Sequence, residues 1–185
     1  EATLEMTHIM AKIRFTEHTL IELTGHHFEA CTENMKIKPY KLYLVEKGEV
    51  LSFKETSTTS RVYLAIGGGF KLDSWLNSTS TDLNIGVGGF QGRTIQEGDE
   101  IEMKRDYTSR HRKLFENLAH QRTTSWGIDG YALSFNYVSD VFHVIANKGT
   151  NDFDTETQQT FIHGEYKVTN KSNRVGMLLE GPSIK

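Results

Sequence analysis

Cysteine is almost missing from this chain: Cys31 is the one cysteine among 185 residues. A lone cysteine forms no internal disulfide, a usage that fits a reducing cytoplasm. Long apolar runs are missing too. No stretch approaches the roughly 20 residues that a membrane-spanning helix needs, so no membrane partner is expected. The start, Glu1-Ala2-Thr3-Leu4, lacks the charged-then-apolar pattern of a secretion signal. There is no initiating Met, which suggests a fragment or a processed chain. Nor is there a basic excess: 21 Lys and Arg stand against 24 Asp and Glu, for a net charge of −3. Phosphate backbones are bound by concentrated Lys and Arg, so nucleic acid is not an expected partner.

What is present describes a globular chain, 37% hydrophobic and 24% charged, long enough to bury a core. Short bursts of β-forming residues fill the first hundred positions. Lys12 to Phe15 alternates polar and apolar, and Leu20 to Leu23 is stopped by Thr24-Gly25. Lys41 to Val45 is followed by a turn at Lys47-Gly48 and a resumed strand from Val50 to Phe53. The clearest strand is Ser60 to Ile66, with Val62, Leu64 and Ile66 on one face. Short strands at close spacing must close or pack on one another, which predicts a mainly β barrel or sandwich.

The stretch from Lys104 to about Gly130 is polar, and it reads as a solvated connector (105–130) between two lobes (1–104 and 131–185). Within it, Leu114, Phe115, Leu118 and Ala119 share a helical face, predicting a short amphipathic helix near 110–120. β-patterning returns at 131–135 and 141–145, and again at Lys167-Val168 and Met177 to Leu179. Between them, 151–162 reads as a helix capped by Asn151 or Asp154 and docked by Phe161 and Ile162.

Candidate chemistry is sparse. Gly67-Gly68-Gly69 follows a strand, but the residues after it, Phe70-Lys71-Leu72-Asp73, lack the Gly-Lys-Ser/Thr ending of a phosphate loop. Turns and close backbone packing are the simpler use of these glycines, as of Gly88 and Gly89. His26-His27 would point to opposite faces of a strand and no third ligand sits at metal spacing, so no metal site is expected. Cys31 lies close enough to that pair for a Cys–His nucleophile, although a small buried hydrophobe is the commoner role. Asn77-Ser78-Thr79-Ser80-Thr81-Asp82, between Trp75-Leu76 and Leu83, either lines a polar pocket or hydrogen-bonds to its own backbone. No Ser–His–Asp set is legible from order alone.

Tyr63-Leu64-Ala65-Ile66-Gly67-Gly68-Gly69-Phe70 resembles a hallmark of the KipA family, also called allophanate hydrolase subunit 2. The rest of that hallmark follows in order: Leu76 to Leu83, Gly88-Gly89, Gly92-Arg93 and Gly98-Asp99. Downstream, Ser172-Asn173-Arg174-Val175-Gly176 and Leu179-Glu180-Gly181-Pro182 resemble the second lobe of that family. The resemblance implies cyclophilin-like β-barrel lobes with a few short helices. It implies the cytoplasmic C-type subunit of an ATP-dependent 5-oxoprolinase, which opens the lactam of 5-oxoproline to glutamate. Its partners would be a KipI-type protein, the B-type subunit, and a LamB/YcsF-type protein, the A-type subunit. On the same resemblance Ser78, Ser80, Thr81 and Asp82 would line the substrate pocket, and Arg93 and Arg174 would contact an anion, although a structural salt bridge is the commoner role for these arginines. Two further roles follow from the family: a non-catalytic antagonist that binds KipI in a sporulation-kinase pathway, and a carboxyltransferase component of the urea carboxylase type. For the last, no Met-Lys-Met biotin attachment site is present. The chain departs from the family pattern at Thr79, where an Arg is usual, at Ser74-Trp75, where prolines are usual, and at Lys148-Gly149-Thr150.

Overall fold

A computed structural model describes residues 2–7, 11–25, 28–54, 61–129, 143–173 and 175–184. The chain divides into two compact units, Glu1–Tyr137 and Val138–Lys185.

The first unit is built from two four-stranded antiparallel sheets. One has the order β1-β8-β3-β6, with β1 Leu4–Thr7, β3 Thr19–Gly25, β6 Leu42–Val45 and β8 Arg61–Ile66. The other has the order β2-β7-β4-β5, with β2 Lys12–Arg14, β4 Glu29–Cys31, β5 Lys36–Ile37 and β7 Val50–Lys54. β8 shows why the pattern folds this way. Val62, Leu64 and Ile66 are buried, while Tyr63 and Ala65 are only partly covered. The register Ile21↔Ile66 and Leu23↔Leu64 sets two buried aliphatic pairs side by side. A slip of one residue would turn both rows outward.

Both sheets feed one core. Ile21, Leu23, Val45, Val62 and Leu64 come from the first, and Ala30, Ile37 and Leu51 from the second. Each large aliphatic side chain buried here contributes about 1.5–3 kcal/mol. Among the described residues the two sheets close by packing, not by a continuous ring of strand pairing. The fold is mainly β, as the sequence predicts.

The polar stretch that reads as a connector is tied to the first sheet. Its helix α1, Ser109–Gln121, begins at a reciprocal cap. The Thr108 hydroxyl accepts from His111 N at 3.3 Å, and Thr108 N donates to His111 Nδ1 at 3.1 Å. Leu118 is buried against Leu20 and Leu44, with Leu114 and Phe115 beside it. After α1 the chain runs along β6: Leu44 N donates to Arg122 O, and Thr124 N to Leu42 O. Most charges of this stretch face water, Arg122 being the exception, while its apolar stripe and its backbone both join unit Glu1–Tyr137.

In the second unit a short 3-10 turn, Lys148–Asp152, precedes α2, Thr155–His163. Asp154 caps α2, accepting from Thr157 N at 2.7 Å, one of the two caps foreseen. Phe161 and Ile162, expected to dock the helix, stay exposed. β9, Lys167–Val168, pairs with β10, Leu179–Glu180. Of the strand expected at 141–145, the described part, 143–145, is irregular. The strand expected at 131–135 and His26-His27 lie outside the described residues.

Candidate functional site

The glycine-rich hallmark folds into a meander on the end of β8. Gly67 N donates to Leu20 O at 2.7 Å and Gly69 N to Ile66 O, turning the chain out of the sheet. Phe70 then bridges to Met103, and Lys71 N and Lys104 N close that pair on Glu102 O and Gly69 O, each at 2.8 Å. Gly68 is the tight point. Its φ is +81°, and a Cβ there would come within 2.9 Å of Asp106 N. The backbone of Arg105 and Asp106 and the Tyr107 ring therefore fill the space beside Gly68. Gly67 and Gly68 serve close packing, and Gly69 faces open space with φ +78°.

The polar segment lies inside this meander. Trp75 and Ser78 exchange two backbone hydrogen bonds around Leu76 and Asn77, whose φ values are +48° and +62°. That is the hairpin turn in which Gly and Asn are usual, so Leu76 sits there against preference. Ser78 Oγ accepts from Ser80 N at 3.2 Å. Asp82 Oδ1 accepts from Asn84 N at 2.9 Å, within a turn closed by Asp82 N on Val87 O. Gly88 and Gly89 pack on Ser80 and Thr81. Ser78, Ser80, Thr81, Asp82, Gly88 and Gly89 are thus brought together, with Ser78 and Asp82 employed in local turns. The Ser80 hydroxyl has no hydrogen-bond partner among the described residues.

Arg93 ends the segment. Its Nη1 and Nη2 grip Asp99 Oδ2 and Oδ1 at 2.7 and 2.8 Å, while Nη1 also donates to Thr94 O and Nη2 to Gln91 Oε1. The guanidinium lies over the Phe90 ring, 5.1 Å from its centre. The Arg93 fork and Gln96 N together hold the Asp99 carboxyl down to about 2. Both terminal nitrogens are committed to internal acceptors. Arg93 is a structural tie across a turn rather than a free anion contact. Arg174 lies outside the described residues.

Cys31 is half-buried with its Sγ 3.6 Å from Ser52 Oγ. Among the described residues no group of three His, Cys, Asp or Glu side chains is placed to hold a metal ion, and no helix is long and apolar enough to cross a membrane. A cavity lined by residues of the β5–β6 connection and the end of α1 includes none of the meander's residues. Sequence reasoning missed its wall residue Arg122, which lies within the stretch read as connector.

The whole chain, residues 1–185, matches the carboxyltransferase domain family, subdomains A and B. The chain belongs to that family. It is 26% identical to the 5-oxoprolinase C subunit of Escherichia coli over 98% of its own length and 53% of that protein's. It is 28% identical to urea amidolyase of Saccharomyces cerevisiae over 98% of its length, which is 10% of that much longer chain. In structure it superposes on the crystal structure of TTHA0988 with a TM-score of 0.71 at 21% identity, covering 99% of this chain and 60% of that one. The fold is shared with that protein. The chain spans about half the length of the 5-oxoprolinase subunits it matches.

Proposed function

We propose that this chain is the C-subunit portion of a multi-subunit, ATP-dependent 5-oxoprolinase acting in the cytoplasm. Extent carries this reading: similarity to a protein named as the C subunit of 5-oxoprolinase runs along 98% of the chain. The lactam of 5-oxoproline is an unreactive amide, and ATP supplies the driving force for opening it to glutamate. ATP is used by the assembled enzyme. The partners are a KipI-type protein as the B-type subunit and a LamB/YcsF-type protein as the A-type subunit. Within this chain, the exposed polar face of the meander, with Ser80 at its centre, meets the substrate or the partner that delivers it.

The test is reconstitution. This chain, purified and mixed with both partner proteins, releases glutamate from 5-oxoproline and ATP. If a full-length C-type subunit turns over under the same conditions and this chain does not, the reading fails for this chain.

A second reading is a carboxyltransferase component of the urea carboxylase type. The 28% identity to urea amidolyase, slightly above that to the 5-oxoprolinase subunits, favours it. Biotin would then arrive on another polypeptide, since no attachment motif is present here. Binding of a biotinylated carrier to the assembled complex, with no glutamate release, is the outcome that selects it.

A further inference from the structure

A cavity of about 380 Å³ opens between the β5–β6 connection and the end of α1. Its wall is strongly cationic: Lys36, Lys38, Lys41 and Arg122 all line it, together with Tyr43 and Gln121. The nearby carboxylates do not neutralise that wall. Glu49 is buried and accepts from Arg122, from Asn34 Nδ2 at 2.9 Å and from Thr32 Oγ1 at 3.1 Å. Glu46, half-exposed, stands 3.4 Å from Arg122 Nη1. Glu29 pairs with Lys54 at 2.8 Å and acts on Lys36 only at longer range. Arg122 is therefore balanced from behind. Lys38 and Lys41 have no carboxylate within ion-pair distance among the described residues.

A second feature points into the same place. Tyr43 is only 3% exposed, and its hydroxyl oxygen accepts from Lys38 N at 2.9 Å. That contact occupies a lone pair and leaves the phenolic proton to donate. Among the described residues it has no acceptor. A buried hydroxyl with an unused donor beside uncompensated lysines is the chemistry of an oxyanion receptor. The carbonyl end of α1 would oppose an anion here. Arg122 answers part of it: its backbone N–H donates to Leu118 O, a carbonyl of the last turn, at 2.9 Å.

We propose that this cleft binds a small multivalent oxyanion, a phosphate ester or a polycarboxylate, held by Lys36, Lys38 and Lys41 with a hydrogen bond from Tyr43. The volume suits a small metabolite rather than a polymer. Several cations around one mouth favour multivalent over monovalent anions.

The test is calorimetric titration of the purified chain with pyrophosphate and with citrate at constant ionic strength, with acetate as the monovalent comparison. Saturable binding of either probe, tighter than acetate, is expected, and the probe that binds identifies phosphate or carboxylate chemistry. Lys38→Gln with Lys41→Gln weakens it by about tenfold or more. Lys104→Gln with Lys113→Gln removes the same charge elsewhere and changes it by less than about twofold. Tyr43→Phe, which leaves every charge in place, weakens it by roughly threefold or more. Equal loss in both double variants, or no saturation by either probe, overturns the proposal.

Discussion

Arg122 donates to the buried carboxylate of Glu49, 73 residues before it in the sequence, and through Nε to the carbonyl of Leu44 at 2.8 Å. Burial, the largest single influence on Glu49, pushes its carboxyl up. Donation from Glu46 N, from the Asn34 amide and from Arg122 outweighs that and holds it below the ordinary carboxylate value. The pair joins the end of α1 to the turn between β6 and β7, so it fastens a polar segment to the core.

Arg122→Met is therefore expected to lower unfolding free energy by about 3 kcal/mol, because it leaves Glu49 buried without its cation. Glu49→Gln should cost less, since it leaves no buried charge and its single oxygen still accepts on one side, from Glu46 N or from Asn34 and Thr32. Urea melts of the two variants check the order. Equal stability of Arg122→Met and the parent chain would mean that Glu49 is solvated in ways the geometry does not show.

Asp99 gives a prediction in pH. Its folded value of about 2 lies below its ordinary 3.8. A depressed carboxyl contributes stability that is fully present above the ordinary value and is lost as pH falls through the folded one. Stability from the Arg93–Asp99 pair should thus decline between pH 3.8 and about 2. Asp99→Asn should be less stable than the parent near neutrality and should lose less across that acid window. Thermal melts at about pH 6 and about pH 2.5, the second roughly one half-unit above the folded value, make the comparison.

Gly89 has φ +52°, and a Cβ there would run into the Thr81 hydroxyl and come within 2.9 Å of Thr81 N. Gly89→Ala is expected to strain the meander by about 2 kcal/mol or more. The meander hangs from the end of β8, so the damage should be local. Hydrogen exchange at Asp82 and Val87 should accelerate while that of β3 and β8 stays slow.

Legibility in the sequence followed the strength of each local signal. β8 was readable because three aliphatic residues alternate with partly exposed ones, and α1 because Leu114, Phe115 and Leu118 recur at helical spacing. β4 and β5, three and two residues long, carry too few positions for a period to show. The attachment of residues 122–124 to β6 was invisible because backbone hydrogen bonds and two single polar side chains, Arg122 on Leu44 O and Thr123 on Leu42 O, make it, and neither leaves a periodic pattern. Arg93 illustrates the converse. Its residue type allowed either an anion ligand or a structural salt bridge, and geometry decides for the salt bridge: Asp99, six residues on, takes both ends of the fork.

Ser80 separates fold from function within the polar segment. Ser78 and Asp82 accept backbone hydrogen bonds, so changing them disturbs turns as well as chemistry. The Ser80 side chain holds nothing in place among the described residues. Ser80→Ala should leave stability within about 0.5 kcal/mol of the parent. If the exposed face of the meander meets substrate or the delivering partner, the same change should lower glutamate release in the reconstituted complex by about tenfold, a loss of roughly 1.4 kcal/mol at the transition state. A rise in KM at constant kcat would place the contact in binding, and an equal fall in kcat and kcat/KM would place it in the reaction step. Unchanged turnover would move the substrate contact away from this segment.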